Sequence, residues 1–213
     1  MKKVSTLILA LFVAFQLTSC GSDKKEEKKG TDKKEVKKEK KSDAKFVLSD
    51  AKNKVKWTAY KFTEKTPVGG EFRKVNITGG GEGNTVKEAI NNAEFSIPIS
   101  SVFTKNSDRD YKIKKYFFGI MKDPELLSGK LMVENDSVGH VHLTMNGVTS
   151  KLPFKYAIDG KKFSLTTTMD VAKWNAQSSI DSLNSVCNDL HKGLDGVSKL
   201  WSEVAINVNS TFK

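Results

Sequence analysis

Asp108-Arg109-Asp110 places one cation between two carboxylates in this 213-residue sequence. A guanidinium group can hold a phosphate or a carboxylate through two parallel hydrogen bonds. Arg109 is therefore a candidate for binding the anionic head group of a ligand. It could equally pair with its two acidic neighbours and brace the chain locally, and the sequence leaves both interpretations open.

Two histidines, His140 and His142, are two positions apart and share one face of a predicted strand. This spacing would suit a metal site, but the alternate residues Val141, Leu143 and Met145 are apolar and are the better candidates for the interior. We predict that both histidines face solvent, and we expect no metal site and no cofactor. The sequence also lacks an HExxH motif, a nucleophile elbow and a phosphate-binding glycine loop, so no enzymatic activity is predicted.

The first cysteine, Cys20, directly follows a predicted leader sequence. Two of the first three residues are lysines, residues 4–15 are largely apolar, and small residues precede the cysteine, as in a secretory signal peptide. The apolar run is shorter than the ~20 residues that a membrane-spanning helix needs. Leu17-Thr18-Ser19-Cys20-Gly21 resembles the bacterial lipobox, which implies that residues 1–19 are removed and that Cys20 carries acyl chains such as palmitate. An ordinary signal peptide with an incidental cysteine is the alternative.

Residues 20–45 form a charged segment with almost no apolar side chains. Eleven lysines and seven acidic residues lie between Gly21 and Lys45, which accounts for part of the net charge of +11. Such a segment cannot bury enough surface to order itself. We predict a disordered tether that acts as a spacer or is attracted to anionic lipid head groups. A secreted location argues against nucleic acid as the partner of this basic chain.

From Phe46 onward, apolar and polar residues alternate with the period of a β-strand. Turn signals such as Asn146-Gly147, Asp159-Gly160 and Gly79-Gly80-Gly81 separate the alternating runs. One apolar face per strand is typical of an antiparallel sheet, and closure into a barrel would remove its exposed edges. About eight strands are predicted, around residues 55–59, 72–77, 93–99, 127–133, 141–145, 152–158, 163–169 and 204–212.

Two short helices interrupt this pattern. One is predicted over residues 108–118 and the other over residues 178–190, with Ser178 or Ser179 as its cap and Gly193 after its end. The second helix should bury one apolar stripe, formed by Ile180, Leu183, Cys187 and Leu190. Cys187 has no cysteine partner, since Cys20 is assigned to lipid, and we interpret it as a small buried hydrophobic residue.

Four motifs together resemble the YceI-like family. In chain order they are Gly69-Gly70-Glu71-Phe72, the run NSDRDYKIKKYFF over residues 106–118, the run LTMNGVTSKLPF over residues 143–154, and VAINVNSTF over residues 204–212. The resemblance covers nearly all of residues 46–213. Lys61 stands where typical members have a histidine, and the region 174–202 is longer than in simpler members.

The resemblance implies an all-β fold, an extended antiparallel eight-stranded lipocalin-like barrel with one or two short helices. It also implies that the interior binds a long isoprenoid or another lipid. Eight strands leave room for side chains or for one slender ligand. The residues expected to line the interior and to bind the ligand are Trp57, Phe95, Ile97, Leu131, Val141, Leu143, Met145, Phe154, Tyr156, Phe163, Leu165, Met169, Ile206 and Val208.

These observations predict three parts: a signal peptide (1–19), an acylated cysteine with its tether (20–45), and a barrel domain (46–213). The expected function is that of a lipid carrier or reservoir in the bacterial cell envelope. Its N-terminal lipid would anchor it to the outer membrane facing the periplasm, or at the cell surface. A structural lipoprotein with a solid barrel core and a lipid-ester hydrolase are the alternatives. The sequence does not specify an oligomeric state.

Overall fold

The computed structural model describes residues 43–213, and the alternating runs of the sequence form its strands. The leader, Cys20 and the tether up to residue 42 lie outside the described residues, so those assignments remain predictions. The strands are β1 (Phe46–Val47), β2 (Lys52–Lys61), β3 (Thr66–Phe72), β4 (Asn76–Gly79), β5 (Glu82–Gly83), β6 (Glu94–Pro98), β7 (Val102–Phe103), β8 (Leu126–Val133), β9 (Val138–Met145), β10 (Val148–Asp159), β11 (Lys162–Asp170) and β12 (Leu200–Thr211).

Ten strands form one curled antiparallel sheet in the order β4-β6-β8-β9-β10-β11-β12-β2-β3-β7. The two strands at the ends of this order are continuations of other strands in the sheet. Strand β4 follows β3 after residues 73–75, and β7 follows β6 after a 3-10 turn at Ile99–Ser101. Glu71 pairs with Phe103 and Ile77 pairs with Phe95, so segments 66–79 and 94–103 run side by side as two bent strands. Since β6 also pairs with β8, and β12 with β2, eight segments are connected in a ring. The predicted antiparallel eight-stranded barrel is confirmed, with two of its strands broken.

The described residues contain three α-helices: α1 (Val86–Ile90), α2 (Ser107–Lys112) and α3 (Gln177–Val186). The first predicted helix corresponds to α2, which continues as a π-helical turn over Ile113–Phe117. The Asn106 side chain caps α2 by accepting the backbone N–H of Arg109 at 2.9 Å. The sequence analysis did not predict α1, a single turn capped by Thr85. None of the described helices is long and apolar enough to cross a membrane.

The details predicted for the second helix are partly wrong. No side chain caps α3, and Ser179 is buried within it instead. Ile180 and Cys187 are buried as predicted, but Leu190 is exposed. The reason is that α3 ends at Val186 and a 3-10 turn over Asn188–His191 follows. A 3-10 helix has three residues per turn, whereas an α-helix has 3.6, so the 3-10 turn rotates Leu190 out of the apolar stripe.

The connections that contain α2 and α3 distinguish one end of the barrel from the other. The connections 104–125 and 171–199 cross one end, which we call the helical end, together with the β2–β3 and β9–β10 turns. At the β9–β10 turn Asn146 and Gly147 both have positive φ, as a two-residue hairpin turn requires. The Asn146 side chain donates to the Trp174 carbonyl at 2.9 Å, and the buried Trp174 indole donates to the Leu143 carbonyl at 2.8 Å. These bonds fasten the second connection to the barrel.

Candidate functional site

Two apolar cavities lie inside the barrel, one beyond the other. The middle cavity, of about 120 Å³, lies beneath the helical end, and the inner cavity, of about 130 Å³, extends towards α1. Both are lined by five residues that mark their boundary: Phe72, Leu127, Leu143, Met169 and Ile206. The two cavities therefore form one apolar tunnel, interrupted by side chains.

The inner cavity presents no free polar group to a ligand. Its three polar lining residues are Asn53, Thr167 and Ser210. Ser210 donates to the Asn53 side chain at 2.6 Å, and Asn53 donates to the Leu48 carbonyl at 2.8 Å. Thr167 donates to the Pro153 carbonyl at 2.7 Å. Since these groups are satisfied by the protein, this end of the tunnel suits a hydrocarbon chain.

Twelve of the fourteen residues expected to bind the ligand line this tunnel. The exceptions are Phe154 and Tyr156, which are buried but line none of the cavities. The Phe154 ring packs on Gly139, where an added Cβ would lie 2.7 Å from the ring, and the Tyr156 hydroxyl donates to the Asn135 carbonyl. Both side chains are thus used for packing near the β8–β9 turn, so the geometry of these three cavities does not support the prediction that they contact a ligand.

A third, outer cavity of about 310 Å³ opens at the helical end between α2, α3 and strands β2, β3 and β12. It shares five lining residues with the middle cavity: Trp57, Ala59, Ile113, Leu183 and Leu200. Its wall also contains Lys61, Asp108, Arg109 and Lys112, so three cationic side chains and one carboxylate surround it. The tunnel therefore leads from an apolar interior to a basic mouth.

Arg109 lines this mouth and does not brace its acidic neighbours. Lys112 pairs with Asp108 at 2.7 Å, and this hydrogen bond raises the pKa of Lys112. Asp110 accepts the backbone N–H and the hydroxyl of Thr104 at 2.8 and 2.6 Å. Within the part of the chain that the structure describes, the Arg109 guanidinium forms no hydrogen bond or ion pair. Of the two interpretations of the Asp-Arg-Asp cluster, the geometry favours a ligand-facing arginine.

Trp57 lies at the throat, in the wall shared by the middle and outer cavities. Its ring packs against its cross-strand partner Gly70, where an added Cβ would lie 2.2 Å from Cζ2. The indole Nε1 is buried and has no hydrogen-bond acceptor among the described residues. A buried donor without a partner is uncommon in native proteins. The throat therefore contains one buried donor that the described protein groups leave unpaired.

Cys187, His191 and Asn184 are of the types found in cysteine hydrolases, and the first two line the outer cavity. His191 Nδ1 lies 2.9 Å from the Asn184 side-chain oxygen. However, no hydrogen bond joins the Cys187 thiol to His191 in the described chain, and burial raises the pKa of the thiol. A nucleophilic cysteine needs a lowered pKa or an adjacent base. This group therefore does not support the hydrolase alternative.

Burial, with a smaller contribution from Lys61, lowers the pKa of His191 to about 4. The unfolded chain takes up this proton near pH 6.5, so stability is complete above that pH and is lost as the pH falls towards 4. We expect a loss on the order of 2 kcal/mol between pH 7 and 4.5, after allowance for partial exposure. The His191→Gln variant lacks this group. When both proteins are unfolded in urea at pH 7 and 4.5, the unfolding free energy of the variant should fall between these pH values by about that much less than the unfolding free energy of the parent. An unchanged difference between the two pH values would contradict the assignment.

His140 and His142 lie on the outer face of β9, while Val141, Leu143 and Met145 are buried. The two Nε2 atoms are 3.2 Å apart, and His140 Nδ1 lies 2.6 Å from a Glu134 carboxylate oxygen. In residues 43–213 no group of three or more His, Cys, Asp or Glu side chains could hold a metal ion. The histidine pair is separate from the tunnel.

A family model described as the YceI-like domain matches residues 46–212. The chain belongs to the YceI-like family. The match spans the four motifs from residue 69 to residue 212 that suggested the resemblance. No curated protein sequence matches the chain.

Solved structures share the YceI-like fold at low sequence identity. A polyisoprenoid binding domain from Saccharophagus degradans, implicated in plant cell wall breakdown, is 12% identical with a TM-score of 0.57, covering 80% of this chain and 98% of its own. BcnA from Burkholderia cenocepacia is 15% identical with a TM-score of 0.50, covering 74% of this chain and 94% of its own. At these identities the comparison establishes the fold of this YceI-like chain.

Proposed function

We propose that this protein binds one long-chain amphiphile, an isoprenoid or another lipid, with its hydrocarbon chain in the tunnel and its polar head at the mouth. The observation that carries this proposal is the apolar tunnel, which opens through the Trp57 throat into a basic cavity. The polyisoprenoid-binding description of the relative from Saccharophagus degradans supports the same ligand class. Acylation of Cys20 would make the protein a membrane-anchored carrier or reservoir in the bacterial cell envelope, at the outer membrane facing the periplasm or at the cell surface.

The tunnel and the mouth would contribute to binding in different ways. Burial of the chain gives about 25 cal/mol per Å² of apolar surface and is insensitive to the head group. The Trp57 N–H would donate to an acceptor oxygen at the first atoms of the head. Arg109 and Lys61 would then attract an anionic group farther out, with Arg109 able to bind it through two hydrogen bonds. The ligand that fits best is a lipid with a phosphate or carboxylate head.

Trp57→Phe tests this arrangement, because it removes the unpaired N–H and keeps an aromatic ring on Gly70. We expect about tenfold weaker binding of geranylgeranyl phosphate, which corresponds to one lost hydrogen bond to a charged group. Binding of a head-free hydrocarbon of the same length should not change. Displacement of a fluorescent fatty acid from the chain Gly21–Lys213 measures both affinities.

Arg109→Gln is the second variant of this test. It should weaken binding of the phosphate probe and leave binding of geranylgeraniol, which has the same chain and no charge, within about twofold. If wild-type protein binds none of these probes and retains no lipid in native mass spectrometry, the barrel is solid and the proposed function is wrong. If the probes bind but both variants bind the phosphate and the uncharged probe like the wild type, the proposed chain-binding tunnel is retained and the head-group assignment is wrong.

A further inference from the structure

Exposed apolar side chains are concentrated at the helical end of the barrel. Among the described residues, eight large hydrophobic side chains are exposed, and seven belong to the connections across this end or to the first residue of β8. The exception, Ile158, lies near the β10–β11 turn at the opposite end. The seven are Tyr111, Ile120, Leu126, Val186, Leu190, Leu194 and Val197. Seven exposed apolar side chains at one end make this end the candidate for contact with an apolar surface.

The most exposed of these residues is Leu194, which is fully exposed at the tip of a well-defined turn. The Gly193 N–H donates to the Val197 carbonyl at 3.1 Å, and Lys192 forms a bridge with Ser198. The turn is attached to the barrel rim, because Thr63 donates to Asp195 at 2.7 Å and the Phe62 N–H donates to the Lys199 carbonyl at 2.9 Å. The fold therefore holds an apolar tip away from the barrel by hydrogen bonds on both sides.

The connections that cross the helical end carry a net positive charge. Residues 61–65, 104–125 and 171–199 together carry eleven Lys and Arg against eight Asp and Glu. Next to the Leu194 tip itself, four lysines (Lys61, Lys65, Lys192 and Lys199) are balanced by four acidic residues (Glu64, Asp189, Asp195 and Glu203). Lys65 pairs with Glu203 and Lys192 with Asp189, so these two cations are already neutralised. Lys61 donates to the Leu190 carbonyl and Lys199 lies over the Trp201 ring, and neither has an acidic partner among the described residues. Exposed apolar residues flanked by such cations are typical of a surface that binds anionic membranes.

The outer cavity opens within the same surface. Leu190 is one of the exposed apolar residues and also lines that cavity. We propose that the helical end docks on an anionic lipid bilayer, with Leu194 inserted among the head groups and the mouth of the tunnel facing the membrane. A water-insoluble chain would then pass between bilayer and tunnel without crossing water. The transfer step rests on the proposed lipid binding, whereas the docking itself does not.

The length of the chain before the barrel permits this orientation. Lys45 lies twenty-five positions after Cys20, and this length of chain can span at most roughly 80–90 Å. The longest strands, β10 and β12, have twelve residues each, which corresponds to about 40 Å. An anchor at Cys20 would therefore allow the helical end to reach the same membrane.

Vesicle flotation of the chain Gly21–Lys213, which lacks the acylated cysteine, tests the docking. The vesicles are phosphatidylcholine with or without phosphatidylglycerol. Leu194→Asp should reduce binding to the anionic vesicles by about fivefold or more, because it places a carboxylate in the membrane interface. The matched control Ile158→Asp, at the opposite end, should bind like the parent. Both positions are exposed, so neither change should unfold the barrel.

A second measurement reports insertion directly. In Leu194→Trp, lipids brominated along their acyl chains should quench the new tryptophan, relative to the parent chain, on anionic vesicles only. Equal effects of Leu194→Asp and Ile158→Asp, or absence of this quenching, would overturn the proposal, and an apolar protein partner would then be the occupant of this surface. Failure of the lipid-binding tests with intact vesicle docking would reject the proposed function and keep this inference.

Discussion

Replacing Leu143 with tryptophan is expected to prevent binding of the lipid proposed for the tunnel and to leave the barrel folded. Leu143 lines both the middle and the inner cavity, so a larger ring at this position would block the tunnel where the two cavities meet. The cavities, of about 120 and 130 Å³, offer space for part of the added volume. We therefore expect a cost of about 1–3 kcal/mol in unfolding free energy. Lipid that copurifies with the protein, measured by native mass spectrometry, should fall about tenfold or more.

Phe154→Ala is the matched control, because Phe154 is buried to a similar extent but does not line the tunnel. It should lower the unfolding free energy by about 3–5 kcal/mol and leave lipid retention unchanged in the folded fraction. His142→Ala, on the outer face of β9, should alter neither property. Retention of lipid by Leu143→Trp, or its loss from folded Phe154→Ala, would show that the ligand binds elsewhere.

Cys20→Ala is expected to abolish lipid modification of the protein. The lipobox-like sequence predicts that the acyl chains are attached to this thiol and that signal peptidase II cleaves only after this attachment. Metabolic labelling with a palmitate analogue should therefore label the parent and leave the variant unlabelled. The variant should also keep residues 1–19, which a mass measurement of the purified protein detects.

Cys187→Ala provides the control for this experiment, since Cys187 is buried in the barrel domain and has a raised pKa. It should be labelled like the parent protein. Equal labelling of Cys20→Ala and the parent would reject the lipoprotein assignment and favour an ordinary signal peptide. That result would leave the tunnel and its proposed ligand unaffected.

The strands and their inward faces could be predicted from the sequence because side chains alternate across a strand. Val141, Leu143 and Met145 are buried for this reason, while His142 between them is exposed. Asn146-Gly147 predicted the β9–β10 turn, because few other residue pairs adopt positive φ at both positions. The order of motifs from residue 69 to residue 212 was sufficient to suggest the family, which the match over residues 46–212 confirms.

Alternation reports which face is buried, but it does not report whether the space behind that face is filled. Phe154 and Leu143 both have inward parity, yet only Leu143 lines a cavity, because Phe154 has Gly139 beneath its ring. The breaks at residues 73–75 and 99–101, and Leu190 turning outward after α3, likewise depend on local backbone geometry that no periodicity encodes.

The polar features of the site depended on tertiary structure for a further reason. The sequence placed Arg109 between two carboxylates but could not show that Lys112 and Thr104 occupy them. It placed Trp57 in the interior but could not show that its indole N–H lacks an acceptor. A hydrogen bond depends on distances between groups far apart in the chain, so the sequence alone determined the barrel and its apolar lining, and only the fold decided which polar groups remain free for a ligand.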